Sequence, residues 1–422
     1  MNIRLLSIII VVFSDCYIHA EDRPAGPIGN DSVTITVPEA WKHVKESNLL
    51  LQIKTKEVEM ANAELKQEKL FNNPQFDISH NINNPITNRY FDIGREGETD
   101  IQLSQRIYIG GQRSERIKKA NEEVYVSEYE RNDAMRLLKR KLTEDIVQLD
   151  GLRKKEDIVD REIASMEKIL KAYGEQQSKG NISQMEVMRI SMERMQLIQE
   201  KCSISAEIAI LQTSIGLMTG LNDGRSIIPM INYEGNISTL NGFSLSIMNS
   251  NLYNRADIQA IRHSIKSAEH NVKLQRANAL PEINITGEWD KNGNIGYNFF
   301  AMGVSLTLPL FNRNQGNIKL AQASLEAKRM QHEWNKKQAL SEINSAWTRL
   351  QTNIRVAQEA NKHLKYENEK MMDEVEKQYM KHNISLLELL DYYKSYKDTR
   401  YLIIESHRDV LLSMTELDIE IK

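Results

Sequence analysis

Hydrophobic residues in the last quarter of the chain recur in steps of three and four. The seam consists of Leu340, Ile343, Trp347, Leu350, Ile354 and Ala357. This heptad spacing is typical of a long helix that packs along a partner helix. It predicts one helix from about Gly316 to Lys381, roughly 100 Å long at ~1.5 Å per residue. A similar stretch predicts a second long helix from about Ser114 to Lys179.

Proline is absent from both of these stretches. None of the eight prolines lies between Pro85 and Pro229 or beyond Pro309. The two windows consist mainly of Glu, Lys, Gln, Leu, Met, Ala and Arg, which are strong helix formers. We therefore expect both helices to be long and to end only where the local sequence changes.

Each predicted long helix ends at the same short motif. Residues 181–186 read NISQME and residues 383–388 read NISLLE. Ser183 and Ser385 are expected to cap returning helices, with Glu186 and Glu388 bonding back to the cap. Each motif therefore predicts the tip of a helical hairpin. The two tips comprise Gly180, Asn181, Ile182 and Ser183, and His382, Asn383, Ile384 and Ser385.

Four shorter segments alternate between apolar and polar residues. They are residues 75–82, 100–107, 282–289 and 299–310. Period-two alternation predicts β-strands, and about ten residues is the length of a tilted strand that crosses a membrane. Two interpretations stay open: soluble hairpins packed on a core, or membrane-crossing strands. In a membrane, four strands would leave unpaired edges, so the chain would have to oligomerise.

The order of these elements is repeated along the chain. The two Asn-Ile-Ser turns lie 202 residues apart (383 − 181), and Pro74 and Gln112 correspond to Pro281 and Gln315. We divide the chain into a signal peptide (1–20), a first repeat (21–221), a linker (222–250) and a second repeat (251–422). Each repeat would contain a helix (about residues 38–70 and about residues 254–278), a β-hairpin and a long helical hairpin.

The N-terminus has the pattern of a secretory signal. Arg4 precedes an apolar run over residues 5–13, and Ala20 is a plausible cleavage point. Cys16 could instead carry lipid, although Asp15 fits that signal badly. The only other cysteine is Cys202, so no disulfide is expected in the mature chain. Beyond the signal we expect no apolar run of 18 residues, so a membrane would have to be crossed by strands.

Charge and motifs exclude several classes of function. The formal net charge of −3 gives no basic footprint for nucleic acid. We find no catalytic constellation, no metal-ligand motif and no cofactor-binding loop, so we expect neither an enzyme nor a bound cofactor. His263 and His270 lie two helical turns apart, too far for one metal ion. The methionines are expected to serve packing rather than soft-metal binding.

Taken together, these segments resemble the outer-membrane efflux protein family of the TolC type. The resemblance covers about residues 33–420. Two junction segments, LSQRIYIGGQRSERIKKA (103–120) and LPLFNRNQGNIKLAQASLE (308–326), are most similar to the heavy-metal branch, the cobalt–zinc–cadmium (CzcC-like) outer-membrane factors.

The resemblance implies an α+β membrane protein that acts as a homotrimer. Three copies with four strands each would close a twelve-strand barrel in the outer membrane lipid, and their helices would form a tunnel through the periplasm. The tips would meet a periplasmic adaptor (membrane fusion) protein joined to an inner-membrane pump of the RND type. The implied function is an exit duct for heavy-metal cations. Drug efflux, type I protein secretion and a non-pore coiled-coil adaptor are the alternatives.

The resemblance also suggests gate residues at the tips. Glu388 and Asp391 match positions of inward-facing carboxylates, and their spacing of three puts both on one helix face. Rings of carboxylates attract cations. Glu388 could equally be only a capping residue, and Asp391 a solvated acid of the first helical turn. In the first tip Glu186 is present, but Arg189 takes the place of the second acid and could pair with Asp391 of a neighbouring copy.

Overall fold

The structure is a computed structural model that describes residues 32–177, 183–221, 224–231, 252–293, 295–364, 370–381 and 383–421. The signal segment with Cys16, and the tip residues Gly180, Asn181, Ile182 and His382, lie outside these ranges. The helices are α1 (Val37–Ser47), α2 (Leu49–Glu68), α3 (Gln112–Gln177), α4 (Gln184–Thr219), α5 (Ala256–Ala277), α6 (Gln315–Leu364), α7 (Lys370–Met380) and α8 (Leu386–Ile421).

The strands are mostly short, except for four that form one sheet. They are β1 (Ser32–Ile35), β2 (Gln75–His80), β3 (Asn83–Asn84), β4 (Arg89–Tyr90), β5 (Thr99–Ile107), β6 (Ser226–Pro229), β7 (Glu282–Gly293) and β8 (Gly296–Thr307). The architecture is thus α+β with very long helices. It confirms the four predicted strands to within a few residues at their ends.

The four long strands form an antiparallel sheet in the order β2-β5-β7-β8. The two hairpins, which lie about 200 residues apart in the sequence, are joined through β5 and β7, where Leu103 lies opposite Gly287 and Ile101 opposite Trp289. Strands β2 and β8 are the outer strands. Each therefore presents a row of backbone N–H and C=O groups that no other described strand of the protomer pairs.

One face of this sheet is apolar and uncovered. The register aligns Phe76, Leu103 and Met302 on this face, next to Ile78 and Phe300. Their side chains are 51–84% exposed. Hairpins packed on a soluble core would bury this face, so the structure disagrees with that interpretation. Polar residues such as Asp77, Gln102 and Glu288 share the opposite face by strand alternation.

Both β-hairpins pass into long helices through equivalent junctions. Gly111 and Asn314 each have a positive φ, of 77° and 57°, directly before the first helical residue. Gln112 accepts a hydrogen bond from the backbone N–H of Gly110 at 2.9 Å, and Gln315 accepts one from Arg313 at 2.8 Å. The predicted correspondence of the two glutamines is therefore confirmed in three dimensions. Gly110 and Gly111 lie at the junction, as the sequence indicated.

Helix α3 organises the protomer. Its 66 residues span about 100 Å. Along this length it packs against α2, α4, α5 and α8. The first buried cluster follows it through Leu142, Ile146, Leu149, Val159, Met166 and Ile169. The protein is therefore built as a layer of helices with seams, rather than around one compact core.

The predicted seam of α6 forms the second buried cluster. Ile343, Leu350 and Ala357 are buried against α8, and Leu340, Trp347 and Ile354 pack at its border. The heptad prediction is therefore confirmed for these residues. The single predicted helix from Gly316 to Lys381 corresponds to two helices here, α6 and α7, and residues 365–369 between them lie outside the described part.

The first predicted helix, residues 38–70, is wrong as a single element. Asn48 has an extended backbone with ψ of 118° and divides it into α1 and α2. Its side chain accepts a hydrogen bond from the N–H of Leu51 at 3.2 Å and donates one to the carbonyl of Met218 in α4 at 3.1 Å. The hydrogen bond to Met218 therefore fixes Asn48 as the position at which the helix is interrupted. The parallel pairing of β1 with β6 was also not predicted.

A buried ionic hub joins the end of α8 to the start of the second repeat. Arg255 and Glu420 are 4% and 3% exposed and lie 2.6 Å apart. Arg255 also contacts Asp257 at 2.8 Å and Glu342 at 2.9 Å. Since buried charges are tolerated only when they are paired, this hub fixes the C-terminal helix against α5 and α6.

Helix α4 corrects one sequence expectation. By length and composition it could cross a membrane, with a mean hydropathy of 1.2 in its best window. From the sequence we expect no such helix beyond the signal segment. In the structure, Ile204, Ile208 and Ile215 are buried on one face while Ile210 and Leu217 are exposed on another. Its low charge therefore reflects two apolar faces, one of which packs on α3.

Candidate gate at the helical tips

The second tip has the predicted capping box. The backbone N–H and the hydroxyl of Ser385 both donate to Glu388 Oε2 at 2.8 Å, and the Glu388 N–H donates to Ser385 Oγ at 3.2 Å. These hydrogen bonds lower the pKa of the Glu388 carboxyl. The structural role predicted for Glu388 is therefore confirmed, and its side chain remains exposed.

The first tip is capped differently. Ser183 Oγ accepts a hydrogen bond from the N–H of Met185 at 3.2 Å, which caps α4. Among the described residues, Glu186 makes no return bond to Ser183, so the predicted reciprocal box is wrong here. In the first tip the serine oxygen accepts from the N–H two residues later, and in the second tip it accepts from the N–H three residues later. Glu186 is exposed. The two tips are thus similar in sequence and unequal in hydrogen bonding.

The predicted gate residues lie on the first turns of the two returning helices. Glu186 and Arg189 are exposed on α4, and Glu388 and Asp391 are exposed on α8. Within the described part of the protomer, Arg189 and Asp391 form no ion pair. Their proposed pairing between copies, and the carboxylate ring, stay predictions.

Two tip residues stabilise the end of the second hairpin. Asn383 donates from its backbone N–H to the carbonyl of Gln378 at 3.0 Å, and from its side chain to Gln378 Oε1 at 2.6 Å. Ile384 packs at the border of the first buried cluster. In the second tip each residue of the Asn-Ile-Ser motif therefore has its own role. Asn383 bonds to the end of α7, Ile384 anchors the turn to the buried cluster, and Ser385 caps α8.

Behind the tips, polar contacts connect the first helical hairpin (α3 and α4) to the second (α6, α7 and α8). Glu376 of α7, 7% exposed, is contacted by Lys168 and accepts a hydrogen bond from Ser165 at 3.2 Å. One turn closer to the tips, the rings of Tyr173 and Tyr379 lie 5.5 Å apart. These contacts hold α3 and α7 together next to the tips.

A second group of contacts lies farther from the tips. Lys397 of α8 lies 2.8 Å from Glu200 of α4 and 3.7 Å from Glu162 of α3. The Tyr401 hydroxyl donates to Glu200 at 2.9 Å. We call Glu162, Glu200, Lys397 and Tyr401 the hairpin latch, because these four residues join three helices of the two hairpins.

Glu162 is the unusual member of the latch. It is 6% exposed, and its Oε2 atom has no hydrogen-bond partner. Burial raises the pKa of its carboxyl to about 7, against the attraction of Lys397, and the charges of Glu193 and Glu200 raise it further. At neutral pH this carboxyl is therefore partly protonated, and its charge changes within the physiological range.

The latch could not be predicted from the sequence because its two members in α8 lie about 200 residues or more after its members in α3 and α4. A signal was nevertheless present. Val159, Glu162, Met166, Ile169 and Tyr173 follow steps of three and four along α3, and the four residues other than Glu162 are buried apolar or aromatic residues. A charged residue in such a seam marks a position where a partner helix must supply a counter-charge.

The two histidines noted in the sequence contact glutamates of α3. His263 Nδ1 lies 2.6 Å from Glu122, and His270 Nδ1 lies 2.7 Å from Glu115. The two pairs lie one heptad apart between α3 and α5. In the described part of the chain, no three His, Cys, Asp or Glu side chains are grouped to hold a metal ion.

With this geometry, comparisons with known proteins become informative. The family model described as outer membrane efflux protein matches residues 247–418. A sequence comparison with curated proteins gives no match.

Several solved structures share the fold over nearly the whole chain. A membrane protein from Pseudomonas aeruginosa superposes with a TM-score of 0.74 at 15% identity, covering 92% of each chain. CusC superposes with a TM-score of 0.73 at 16% identity, covering 91% of each chain. The CmeC outer membrane channel of Campylobacter jejuni gives 0.72 at 16% identity, covering 91% of this chain and 85% of that one. At such low identities the likeness concerns the fold. The family model matches the second repeat, and the fold shared with these solved channels extends over both repeats.

Proposed function

We propose that this protein is an outer membrane efflux channel that serves as the exit duct of a tripartite RND-type system, that it works as a homotrimer, and that it carries heavy-metal cations. In this arrangement the chain forms the wall of the channel and its gate, and it catalyses no reaction. The inner-membrane pump supplies the energy, and a periplasmic adaptor connects the pump to the helical tips.

The observation that carries the proposal is the open sheet. Strands β2 and β8 have free edges, and one face of the sheet is apolar. In hydrocarbon, each unpaired backbone group costs several kcal/mol, so a sheet with two edges is not stable in a membrane. Pairing β2 of one copy with β8 of the next removes both edges once the ring closes. Three copies would give a barrel of twelve strands.

The helical layer supports the same arrangement. Below the sheet, α4 lies at one side of α3, while α6 packs on α5 and α8 at the other side. The outer face of α4 near its tip carries Met185, Met188, Met192 and Met195, which are 58–81% exposed. Methionine is usually buried, and the spacing is that of a helix-packing seam. We assign this seam to contact with a neighbouring copy.

The gate would lie at the closed end of the tunnel. The hairpin latch and the contacts of Glu376 hold the two hairpins of one protomer together, as a closed state requires. In the trimer, Glu388 and Asp391 would form carboxylate rings at the aperture, with Glu186 and Arg189 beside them. Such rings favour cations over anions. Docking of the adaptor at the two tips would open the gate.

The choice of heavy-metal cations rests on the junction segments 103–120 and 308–326, which resemble the heavy-metal branch of the family. The fold does not select a cargo, because ducts for different cargo share it. A weak, open path suits an exporter, since a tight metal site would retain the ion.

A deletion strain tests the cargo. Growth is measured against zinc, cobalt, cadmium and copper gradients, with a panel of drugs in parallel. Selective metal sensitivity, restored by the intact gene, supports the proposal. Sensitivity to drugs alone favours the drug-efflux alternative, and loss of a secreted protein favours the secretion alternative.

Fractionation tests the duct itself. The protein is expected in outer membranes as a detergent-resistant trimer. A stable, water-soluble monomer would instead favour the non-pore adaptor alternative, because it would have to bury its apolar sheet face without lipid.

A further inference from the structure

The loop between β2 and β5 buries polar residues and exposes large apolar ones, the reverse of the usual arrangement. This loop, residues 81–98, lies at the end of the sheet away from the helices, and we call it the outer loop. Its centre is polar: Asn84 and Asp92 are 4% and 8% exposed. Its surface carries Ile86, Tyr90, Phe91 and Ile93, which are 63–84% exposed.

The polar centre is well bonded. Asn84 Oδ1 accepts from the N–H of Ile86 at 2.9 Å, and its Nδ2 donates to the carbonyl of Glu96 at 2.7 Å. Asp92 accepts from the Thr87 hydroxyl at 2.6 Å and from the N–H of Gly94 at 3.0 Å. These bonds satisfy the buried polar side chains of Asn84 and Asp92 within the loop. The loop conformation therefore does not depend on hydrogen bonds to water at its surface. The large apolar side chains are held outward by this scaffold.

The outer loop is fastened to the apolar side of the sheet. Lys291 lies two residues after Trp289 in β7, so the two share a face by strand alternation. Its ammonium group donates to the carbonyls of Ile93 and Gly94, at 2.7 Å each. Ile82, 63% exposed, leads from β2 into the loop and accepts a backbone bond from Phe91 at 2.8 Å. The apolar surface of the loop is thus continuous with the apolar face of the sheet.

We propose that the outer loop lies in the lipid of the outer leaflet, at the boundary between acyl chains and headgroups, as part of the protein's lipid-contacting surface. In water, these exposed apolar side chains would stay hydrated and would contribute no burial free energy, whereas contact with lipid would remove them from water. Aromatic residues beside cations suit this boundary: exposed Arg89 directly precedes Tyr90 and Phe91 in the sequence, and exposed Arg95 lies 5.4 Å from the centroid of the Tyr297 ring. The proposal rests on the membrane-crossing sheet and not on the cargo.

Site-directed spin labelling of the full chain tests this placement. Ile93→Cys is labelled with a nitroxide in a background that carries Cys16→Ser and Cys202→Ser, and the protein is placed in phosphatidylcholine and phosphatidylglycerol vesicles. Collisions with oxygen, which partitions into lipid, are compared with collisions with a water-soluble nickel chelate. Matched labels at Met302 on the apolar face of β8 and at Gln102 on the polar face of β5 give the lipid and water references.

The expected result is that position 93 follows position 302, with oxygen collisions exceeding those of the chelate by a similar factor. A ratio like that of position 102 would place the loop in water and overturn the proposal. Low collision rates with both reagents would mean that a neighbouring copy covers the loop, which also overturns it. Lys291→Met should raise the mobility of the label at 93 and leave the label at 302 unchanged; an unchanged label at 93 would disprove the fastening.

Discussion

The ammonium group of Lys397 lies 3.7 Å from the buried carboxylate of Glu162, across the boundary between the two helical hairpins. This pair and the bond from Lys397 to Glu200 join α8 to α3 and α4 behind the tips. Any motion that separates the hairpins has to break these contacts, so the charge state of Glu162 is coupled to the strength of that boundary.

Glu162→Gln is expected to change how stability depends on pH. Burial raises the pKa of Glu162 from its usual 4.5 to about 7, so the folded protein binds its proton more tightly than the unfolded chain does. This contribution to stability is present below pH 4.5 and is lost as pH rises through 7, at a cost of about 3 kcal/mol. Thermal unfolding in detergent between pH 5 and 8 should show this loss in the wild type and not in the variant.

The matched control is Glu207→Gln, a change at an exposed glutamate of α4. It should leave the pH dependence of the wild type intact. An identical pH profile for Glu162→Gln and the wild type would contradict the role assigned to the latch.

Arg255→Leu is expected to destabilise the hub at the end of α8. Glu420 would lose the guanidinium that lies 2.6 Å away and keep those of Arg140, at 2.7 Å, and Arg136, at 3.3 Å. Leaving a buried charge without its partner costs about 3–5 kcal/mol, and because two arginines remain we expect a loss at the lower end of this range. Unfolding by heat or denaturant measures the loss. Arg329→Leu removes an arginine that is 57% exposed and pairs with Glu269, and should cost less than about 1 kcal/mol.

Removing the cap serines should affect the two tips unequally. Ser385→Ala breaks bonds on both sides of the capping box, whereas Ser183→Ala removes one accepted hydrogen bond. We expect a loss of about 1 kcal/mol at the second tip and less at the first. Amide hydrogen exchange in the first turns of α8 and α4 measures each effect locally. Equal acceleration in the two variants would contradict the difference in capping.

Asp391→Ala tests the proposed gate. If Asp391 contributes to a carboxylate ring, its removal should raise single-channel conductance in planar bilayers and reduce the preference for cations. Asp398→Ala is the control, since Asp398 is exposed on the same helix two turns farther from the tip. Recordings in which the two variants behave alike would remove Asp391 from the gate.

The periodic parts of the fold could be predicted from the sequence, because the spacing of apolar residues along a helix or strand shows which of its faces is covered. The α6 seam at Ile343 and Leu350 and the alternation of Phe300 and Met302 are of this kind. The capping box of Ser385 and Glu388 is equally local, since its atoms come from four consecutive residues.

What the sequence did not reveal depends on distant partners. The break at Asn48 requires the carbonyl of Met218, 170 residues away. The latch requires Lys397 to meet Glu162 across two hairpins; the seam around Glu162 indicates that a counter-charge is needed and does not specify which residue supplies it. The reversed polarity of the outer loop is also invisible in the sequence, because Asn84 and Asp92 are typical turn residues and only their burial distinguishes them.

The open outer edges of strands β2 and β8 have a genetic consequence. If β2 of one copy pairs with β8 of the next, as proposed, each barrel contains strands from every copy, and a defect in one copy affects the whole channel. A variant that folds and assembles but has a defective gate would inactivate complexes that also contain wild-type subunits. Such alleles should therefore be dominant over the normal gene, while alleles that cannot join should be recessive.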